Sequence, residues 1–266
     1  MIAVNKTGPT RVKNNPSICP PEKARQEPDL AWNDPMDLYY MGDSIGAIAE
    51  GGAGGTVSYE HAVTGLKAYP RGTDESDTAR LFIEYCASID IENFSVTDWY
   101  AYHTKHRAAT SYGKTWQDHF LTIDYILKKT GELNYDRLVA ISKDRGSNGN
   151  GCLALAYPIV TIFADRAEEI ADLITAGTHF LARPTMKLLV GYFQGRKSLE
   201  DVINEAFPTQ RTDGWELTPL SHGCLWAAAT IAAESRLQSV IARGLEGGGD
   251  VDSYLSLALL IWGVKK

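Results

Sequence analysis

Apolar residues recur at intervals of three and four along most of this chain, and that helical period limits the possible folds more than any other property of the sequence. The clearest segments are 36–48, 81–89, 116–129, 153–163, 167–182, 185–193 and 224–233. No segment shows the period-two alternation that is typical of a half-buried strand. The sequence therefore predicts an all-α fold, with a single compact multi-helix domain over residues 36–266.

The first thirty-five residues have a different composition. They contain six of the chain's eleven prolines, namely Pro9, Pro16, Pro20, Pro21, Pro28 and Pro35. Proline fixes φ and lacks an N–H donor, so we expect residues 1–35 to form an extended arm. Residues 1–30 carry five basic and three acidic side chains, a balance of +2, whereas the rest of the chain carries −9. The arm is either a flexible leader or a segment that docks on a partner or on its own domain.

Composition and charge exclude several classes of protein. Of the 266 residues, 44% are hydrophobic and 22% are charged, as in folded globular proteins. The net charge of −7 argues against a nucleic-acid-binding protein. No run reaches the roughly 20 apolar residues that a membrane span needs. The N-terminus also lacks the basic segment followed by an apolar segment that is typical of a secretory signal. We therefore expect a cytoplasmic protein with no nucleic-acid partner and no membrane partner.

Two acidic groups, each at the predicted start of a helix, carry the strongest chemical signal. The first, residues 247–253, places Asp250, Asp252 and Ser253 after three glycines and before an apolar helix. Carboxylate and hydroxyl oxygens are hard ligands that suit Mg²⁺ or Mn²⁺. The second, residues 73–78, combines hydroxyl and carboxylate side chains in a similar way.

Each acidic group also has a simpler interpretation. Asp250 or Asp252 could cap the helix that follows, and residues 73–78 could be an ordinary capping box. A cap explains one aspartate but not a pair. Two such groups ahead of apolar helices favour two half-sites that meet across a helical bundle, and they predict a centre for two divalent metal ions.

Two further motifs give weaker signals. Asp43 and Glu50 are seven residues apart in a predicted helix, so we expect them on one face, where an acid among apolar residues needs a partner. The Gly149-Asn150-Gly151 turn could offer backbone N–H groups to a phosphate, or it could be an ordinary loop.

Taken together and in this order, these motifs resemble the ADP-ribosylglycohydrolase family. The family motif Gly-Asp-x-x-Gly-x-x-x-Glu matches residues 42–50, and its Thr-Asp-Asp-Thr motif is similar to residues 73–76. Its Gly-Asn-Gly motif with a later proline is similar to residues 149–158, a Thr-His pair matches 178–179, and Gly-Gly-Asp-x-Asp-Thr is similar to 248–253. The resemblance covers the whole predicted helical domain and implies the all-α fold of that family.

The resemblance also implies a role for each group of residues. It implies metal ligands at Thr73, Asp74, Glu75, Asp250, Asp252 and Ser253, which would bind two Mg²⁺ ions, with Mn²⁺ as a substitute. It implies a catalytic carboxylate that activates the attacking water, at Glu50, Asp74 or Glu75. It implies a substrate cleft lined by Gly149, Asn150, Gly151 and His179. A hydrogen-bonded helix histidine without a binding role is the other interpretation of His179.

This chain departs from the family pattern at several positions. Glu75 stands in place of an aspartate, so either Glu75 or Asp77 is the third acidic ligand of its motif. Ser76 and Ser253 replace threonines and keep the hydroxyl group, whereas Leu155 replaces an arginine and removes a cation near the glycine turn.

The activity that the resemblance implies is Mg²⁺-dependent removal of ADP-ribose from modified protein side chains. It favours arginine N-glycosides over serine O-glycosides and other ADP-ribosyl linkages, and the partner would be an ADP-ribosylated protein. A different function is also open, because some relatives with this layout are immunity proteins, and residues 1–35 could block an ADP-ribosylating toxin, with or without hydrolysis. The six retained oxygen ligands favour the hydrolase, because a pure binding protein has no need of them.

Overall fold

The structure is built from α-helices. The computed structural model describes residues 34–50, 57–70, 72–109, 112–206 and 218–266. These residues form fourteen α-helices and four short 3₁₀ helices, and no strand occurs among them beyond one isolated bridge between Gly149 and Leu220. The predicted all-α fold is confirmed. Within the same residues, no helix combines the length and the apolar character needed to cross a membrane.

The helices follow one another through turns and short loops. In chain order they are α1 (Pro35–Gly46), α2 (Tyr59–Ala62), α3 (Gly65–Ala68), α4 (Asp74–Ala87), α5 (Val96–His106), α6 (Lys114–Thr130), α7 (Tyr135–Arg145), α8 (Ala156–Phe163), α9 (Ala167–Thr178), α10 (Arg183–Phe193), α11 (Leu199–Ala206), α12 (Ser221–Ala232), α13 (Leu237–Gly247) and α14 (Val251–Val264). The 3₁₀ helices are Ile91–Asn93, Leu153–Leu155, Ala164–Arg166 and Phe180–Ala182.

Helix α14 lies at the centre of the fold. Every residue from Val251 to Ile261 is buried, and a helix that is mostly apolar on all sides must be surrounded by other elements. Helices α1, α12 and α13 pack against it, and the same apolar core continues through α4, α5, α8, α9 and α10. The acidic motif at residues 247–253 therefore leads into this buried helix.

Two glycines allow α1 to approach α14 closely. A Cβ atom on Gly42 would lie 2.6 Å from the Cα of Ser256, and one on Gly46 would lie 2.4 Å from the Cα of Asp252. Side chains do not tolerate such distances to a backbone, so glycine is required at both positions. This contact brings Asp43, which lies between the two glycines, near Asp252.

The start and the end of α1 differ from the sequence-based expectation. The helix begins at Pro35, and the carboxylate of Asp34 caps it by accepting a hydrogen bond from the N–H of Met36 at 2.8 Å. The rest of the predicted arm, residues 1–33, lies outside the described residues. At the other end the helix stops at Gly46, and Glu50 follows in a turn. Glu50 therefore does not share a helix face with Asp43, and that prediction is wrong.

Candidate functional site

A cavity of about 230 Å³ brings together most of the residues predicted from the sequence. Its acidic side is lined by Glu50, Asp74, Glu75, Asp250 and Asp252. The other residues that line it, called the opposite side below, are Gly113, Lys114, Thr115, Trp116, Gly149, Asn150, Gly151, His179 and Pro219. The fold thus joins the two acidic motifs at one place, as the sequence predicted.

The acidic side contains two overlapping groups of carboxylates. Oxygen atoms of Asp43, Glu75 and Asp252 all lie within 4.8 Å of one another, and so do oxygens of Glu50, Asp250 and Asp252. Asp252 belongs to both groups, so the arrangement could hold two neighbouring divalent cations with one shared ligand. A donor set made of carboxylate oxygens suits Mg²⁺ or Mn²⁺ better than zinc.

Two hydroxyl groups lie against Glu75. The Ser253 hydroxyl donates to Glu75 Oε1 at 2.6 Å, and the Thr73 hydroxyl lies 3.0 Å from Glu75 Oε2. The Thr73 oxygen also lies 2.6 Å from Asp43 Oδ1 and 3.4 Å from Asp252 Oδ2. Four of the six residues predicted as metal ligands therefore line this cavity, and the other two, Thr73 and Ser253, lie beside it against Glu75. Asp43, which was not predicted as a ligand, belongs to the same group of carboxylates.

Asp43 also holds the N-terminus of α4. Its Oδ2 accepts hydrogen bonds from the N–H groups of Thr73 at 2.7 Å and Ser76 at 3.1 Å. Gly72, with a φ of +72°, makes the turn before the helix, and a Cβ atom there would lie 2.4 Å from Asp43 Oδ2. The cap thus comes from α1, whereas the side chain of Thr73 makes no cap hydrogen bond. The capping-box interpretation of residues 73–78 is wrong, and the expected partner of the buried acid is this helix N-terminus.

Asp250 occupies the N-cap position of α14 but does not cap the helix with its side chain. Its carboxylate accepts a hydrogen bond from the side-chain amide of Asn150 instead, and its own N–H donates to the Thr218 hydroxyl at 3.1 Å. Gly248 and Gly249, with φ values of +70° and +76°, turn the chain into this position. The capping interpretation is therefore wrong for the side chain of Asp250.

Burial and mutual repulsion raise the pKa values of the acids. Burial, followed by the charge of Asp74, raises the pKa of Glu75 well above its usual value, and burial followed by the charge of Asp250 does the same for Asp252. Partial burial and Asp250 also raise the pKa of Glu50. The charged groups behind these shifts are all carboxylates. A divalent cation would offset this repulsion, so the residues present fit a metal site.

His179 lines the opposite side of the cavity, immediately after α9 ends at Thr178. Its Nδ1 lies 2.9 Å from the Thr178 hydroxyl oxygen, and its ring meets the ring of Trp116 edge to face, with centroids 5.1 Å apart. Burial lowers the pKa of His179 to about 3, so the ring is neutral. The two interpretations left open by the sequence are therefore compatible, because a buried, hydrogen-bonded histidine also lines the cavity.

The Gly149-Asn150-Gly151 turn, called the glycine turn below, is fixed to the segment that precedes α12. Gly149 and Leu220 form the isolated bridge, and the N–H of Asn150 donates to the carbonyl of Pro219 at 3.3 Å. The bond from the Asn150 amide to the acidic side completes the attachment. The glycine turn is therefore a fixed part of the cavity wall.

Comparisons with known proteins agree with this architecture. No protein-family model matches the sequence, and no curated protein matches it. Twelve solved chains match the structure. One of them, described as an ADP-ribosylglycohydrolase-related protein complex, matches with a TM-score of 0.55 and 16% sequence identity, over 86% of this chain and 85% of that chain. The chain has an ADP-ribosylglycohydrolase-related fold. The resemblance inferred from the motifs is thus confirmed at the level of the fold.

Part of the cavity in this ADP-ribosylglycohydrolase-related fold could not be predicted from the sequence. Lys114, Thr115 and Trp116 form one wall of the cavity at the start of α6. The sequence predicted a helix over 116–129, but nothing in its periodicity marks the first turn as part of a cavity. A second cavity of about 470 Å³ shares this wall and extends between α6 and α7.

Proposed function

We propose that this chain is a Mg²⁺-dependent hydrolase that removes ADP-ribose from modified protein side chains, with arginine N-glycosides as its substrates. The observation that carries the proposal is the pair of overlapping carboxylate groups in one cavity of an ADP-ribosylglycohydrolase-related fold. Buried acids that raise one another's pKa are typical of functional sites, and bound divalent cations would offset their mutual repulsion. The partner in this function is an ADP-ribosylated protein.

The acidic side of the cavity would hold the cations. The proposed ligands are Thr73, Asp74, Glu75, Asp250, Asp252 and Ser253, with Asp43 in the first carboxylate group and Glu50 at the exposed edge of the second. Bound Mg²⁺ or Mn²⁺ would supply the positive charge that fixes the ribose hydroxyl groups and so orients the anomeric carbon.

Glu50 is the best placed of the three candidate bases. The buried carboxylate of Glu75 accepts a hydrogen bond from the Ser253 hydroxyl, and the Thr73 hydroxyl oxygen lies 3.0 Å from its other oxygen. Glu50, in contrast, is exposed at the edge of the cavity, where water has access. Its raised pKa makes Glu50 a stronger proton acceptor. Asp74, the third candidate, lines the same cavity.

The reaction follows from this placement. Glu50 takes a proton from a water molecule while the water oxygen forms a bond to the anomeric carbon. The bond from that carbon to the side-chain nitrogen breaks, and the nitrogen keeps the electron pair and takes up a proton from solvent, while Glu50 releases the proton that it accepted back to solvent. Nearby carboxylates stabilise the positive charge that develops on the sugar ring.

The opposite side of the cavity would bind the ADP part of the substrate. The glycine turn would supply backbone N–H groups to phosphate oxygens, and His179 would contribute a neutral ring. Leu155, which stands where the resembled family has an arginine, is fully buried. The cationic side chain that lines the described part of the cavity is Lys114, so we assign to it the attraction of the diphosphate.

The test is release of ADP-ribose from defined substrates. The purified protein is incubated with ADP-ribosyl-arginine and, separately, with ADP-ribosyl-serine proteins, and the ADP-ribose released is measured. We expect release from arginine with Mg²⁺, none in excess chelator, and recovery when Mg²⁺ or Mn²⁺ is added back. Asp252→Asn, which alters both carboxylate groups, should remove most of the activity while the helical signal is retained.

Three outcomes would contradict different parts of the proposal. Release from serine alone would keep the hydrolase and overturn the arginine assignment. Full turnover in excess chelator would overturn the metal centre, and no release from any ADP-ribosyl substrate would overturn the proposed function.

A further inference from the structure

Asp77 is buried on α4 but belongs to neither carboxylate group. Its Oδ2 accepts three hydrogen bonds instead, from the N–H groups of Ala108 at 2.9 Å and Ala109 at 3.1 Å and from the Tyr112 hydroxyl at 2.6 Å. Of the two acids that the sequence left open, Glu75 therefore lies in the cluster and Asp77 does not. Asp77 is bonded to a segment about thirty residues further along the chain.

The segment that Asp77 holds leads directly into the cavity wall. Tyr112 precedes Gly113, which is the N-cap of α6, and residues 113–116 line the cavity opposite the acids. Among the described residues, Tyr112, Trp116 and Phe120 form a small hydrophobic cluster that is separate from the main core. This cluster meets the rest of the protein through ring contacts such as those of His103 with Tyr112 and Trp116, and the hydrogen bonds to Asp77 add a polar attachment to α4.

A buried histidine reinforces the same attachment. His103 Nε2 lies 3.1 Å from the Tyr112 hydroxyl and 3.4 Å from the Thr78 hydroxyl, and its ring stacks on Trp99 with centroids 4.9 Å apart. Burial lowers the pKa of His103 to about 3, so the ring is neutral and adds no charge beside Asp77. Tyr112 is therefore tied to α4 through Asp77 and to α5 through His103.

The wall also carries a hydrogen-bond donor that no described residue uses. The indole Nε1 of Trp116 is buried and has no partner within the described part of the chain, although Trp116 lines the cavity. A Cβ atom on Gly151 would lie 2.8 Å from this nitrogen, so the glycine leaves space around it. Buried N–H groups are nearly always paired, so this unused donor on a cavity-lining residue is a candidate contact for a ligand oxygen.

We propose that Asp77 is a positioning residue that holds residues 113–116 at a fixed separation from the acidic side, so that a ligand contacts both sides of the cavity at once. Asp74 and Asp77 lie three residues apart in the first turns of α4, so a single helix carries a residue of the acidic side and the attachment of the opposite wall. The inference rests on the proposed function only for the identity of the ligand, ADP-ribose.

The experiment compares Mg²⁺ binding with ADP-ribose binding in the full-length protein. Asp77→Ala removes all three hydrogen bonds, and Tyr112→Phe removes one of them while keeping the ring. We expect calorimetry to show Mg²⁺ affinity within about twofold of the wild type in both variants, because neither residue is a ligand. ADP-ribose affinity, measured with Mg²⁺ present, should fall about tenfold in Asp77→Ala and less in Tyr112→Phe. The double variant should be no weaker than Asp77→Ala, because both changes break one network.

Hydrogen exchange gives a readout that does not depend on the ligand. The amides of Ala108 and Ala109, which donate to Asp77, and of Gln117, which donates to the carbonyl of Gly113, should exchange faster in Asp77→Ala than in the wild type. Asp98→Ala, which removes an exposed aspartate from α5, is the matched control and should change neither exchange nor binding. If Asp77→Ala fails to fold, ligand binding and hydrogen exchange are both measured on Tyr112→Phe.

The outcomes separate the inference from the proposed function. A fall in Mg²⁺ affinity with unchanged exchange would make Asp77 a metal ligand and overturn the inference. Faster exchange with unchanged ADP-ribose affinity would overturn it as well, because the wall would then not contact the ligand. If wild-type protein binds no ADP-ribose, the proposed function fails, and the exchange data alone decide whether Asp77 holds the wall.

Discussion

The acids of the cavity favour cation binding and oppose folding at the same time, because burial places like charges side by side. Replacing one of these acids should therefore weaken cation binding and, in the absence of metal, stabilise the fold or leave its stability unchanged. We expect Glu75→Gln to weaken Mg²⁺ binding by about tenfold or more, and to leave unchanged or raise the melting temperature measured in chelator. Glu84→Gln, at an exposed position of α4, should affect neither. Calorimetric titration and thermal unfolding measure the two effects, and a large drop in melting temperature without loss of Mg²⁺ affinity would contradict the assignment.

The pH dependence follows from the direction of the pKa shifts. The pKa values of Glu75 and Asp252 are raised in the folded protein, so the metal-free protein loses stability as the pH rises through those values. In the proposed metal centre Mg²⁺ would bind the deprotonated acids, so the difference in melting temperature between Mg²⁺ and chelator should widen as the pH is raised from about 5 to about 8. His103 and His179 are neutral in the folded protein, so the protein also loses stability as the pH falls below about 6.5. We expect this loss to be equal in Mg²⁺ and in chelator. A difference that stays constant with pH would contradict the prediction.

Single residues also show why the sequence predicted which residues form the site better than it predicted their hydrogen bonds. The acidic residues could be found because each belongs to a short motif before an apolar helix. The contacts of Asp77 could not be predicted, because Ala108 and Ala109 belong to a segment without any periodic pattern. Glu50 was placed on a helix because apolar spacing continues past Gly46, where the helix ends.

At the level of whole helices, periodicity located the longer amphipathic elements and missed their interruptions. The predicted segments 116–129 and 185–193 correspond to α6 and α10. The predicted segment 167–182 is interrupted at His179, whose φ of −124° and ψ of 64° are not helical. The sequence does not reveal this break, because the apolar spacing continues across it. Helices α2 and α3 have four residues each, too few to show a period.

The packing of α1 on α14 gives a prediction for Gly46→Ala. The added methyl group would meet the backbone of Asp252, so the helices must separate, at a cost of about 1–3 kcal/mol. We expect a lower melting temperature and weaker Mg²⁺ binding, because Asp252 moves relative to Asp43. Gly191→Ala, in α10, is the matched control, since its nearest neighbour is the flexible side chain of Lys197, and it should leave stability unchanged or raise it. Wild-type Mg²⁺ affinity in Gly46→Ala would show that the close contact does not set the site.

At the scale of the whole molecule, the N-terminal segment is expected to serve a partner rather than the fold. Its prolines and its +2 charge over residues 1–30 predict little contribution to a core. We propose that it binds an ADP-ribosylating enzyme. Deleting residues 1–33 keeps Asp34, the cap of α1, so the melting temperature and hydrolysis of an ADP-ribosyl-arginine substrate should be unchanged, while binding to the cognate ADP-ribosylating enzyme should be lost. If the truncated protein unfolds or loses turnover, the segment belongs to the catalytic domain.

The central position of α14 has a consequence for how the protein is made. Glu75 and Ser253, which share a hydrogen bond, are 178 residues apart. At ribosomal rates of about 5–20 residues per second, the second residue follows the first by roughly 10–35 s. During that interval the nascent chain has the acids of α1 and α4 without those of α14, and the glycine face of α1 has no helix to pack against. In the proposed metal centre, cation binding would therefore be a late event in biogenesis, and a bound ion would report that α14 has docked.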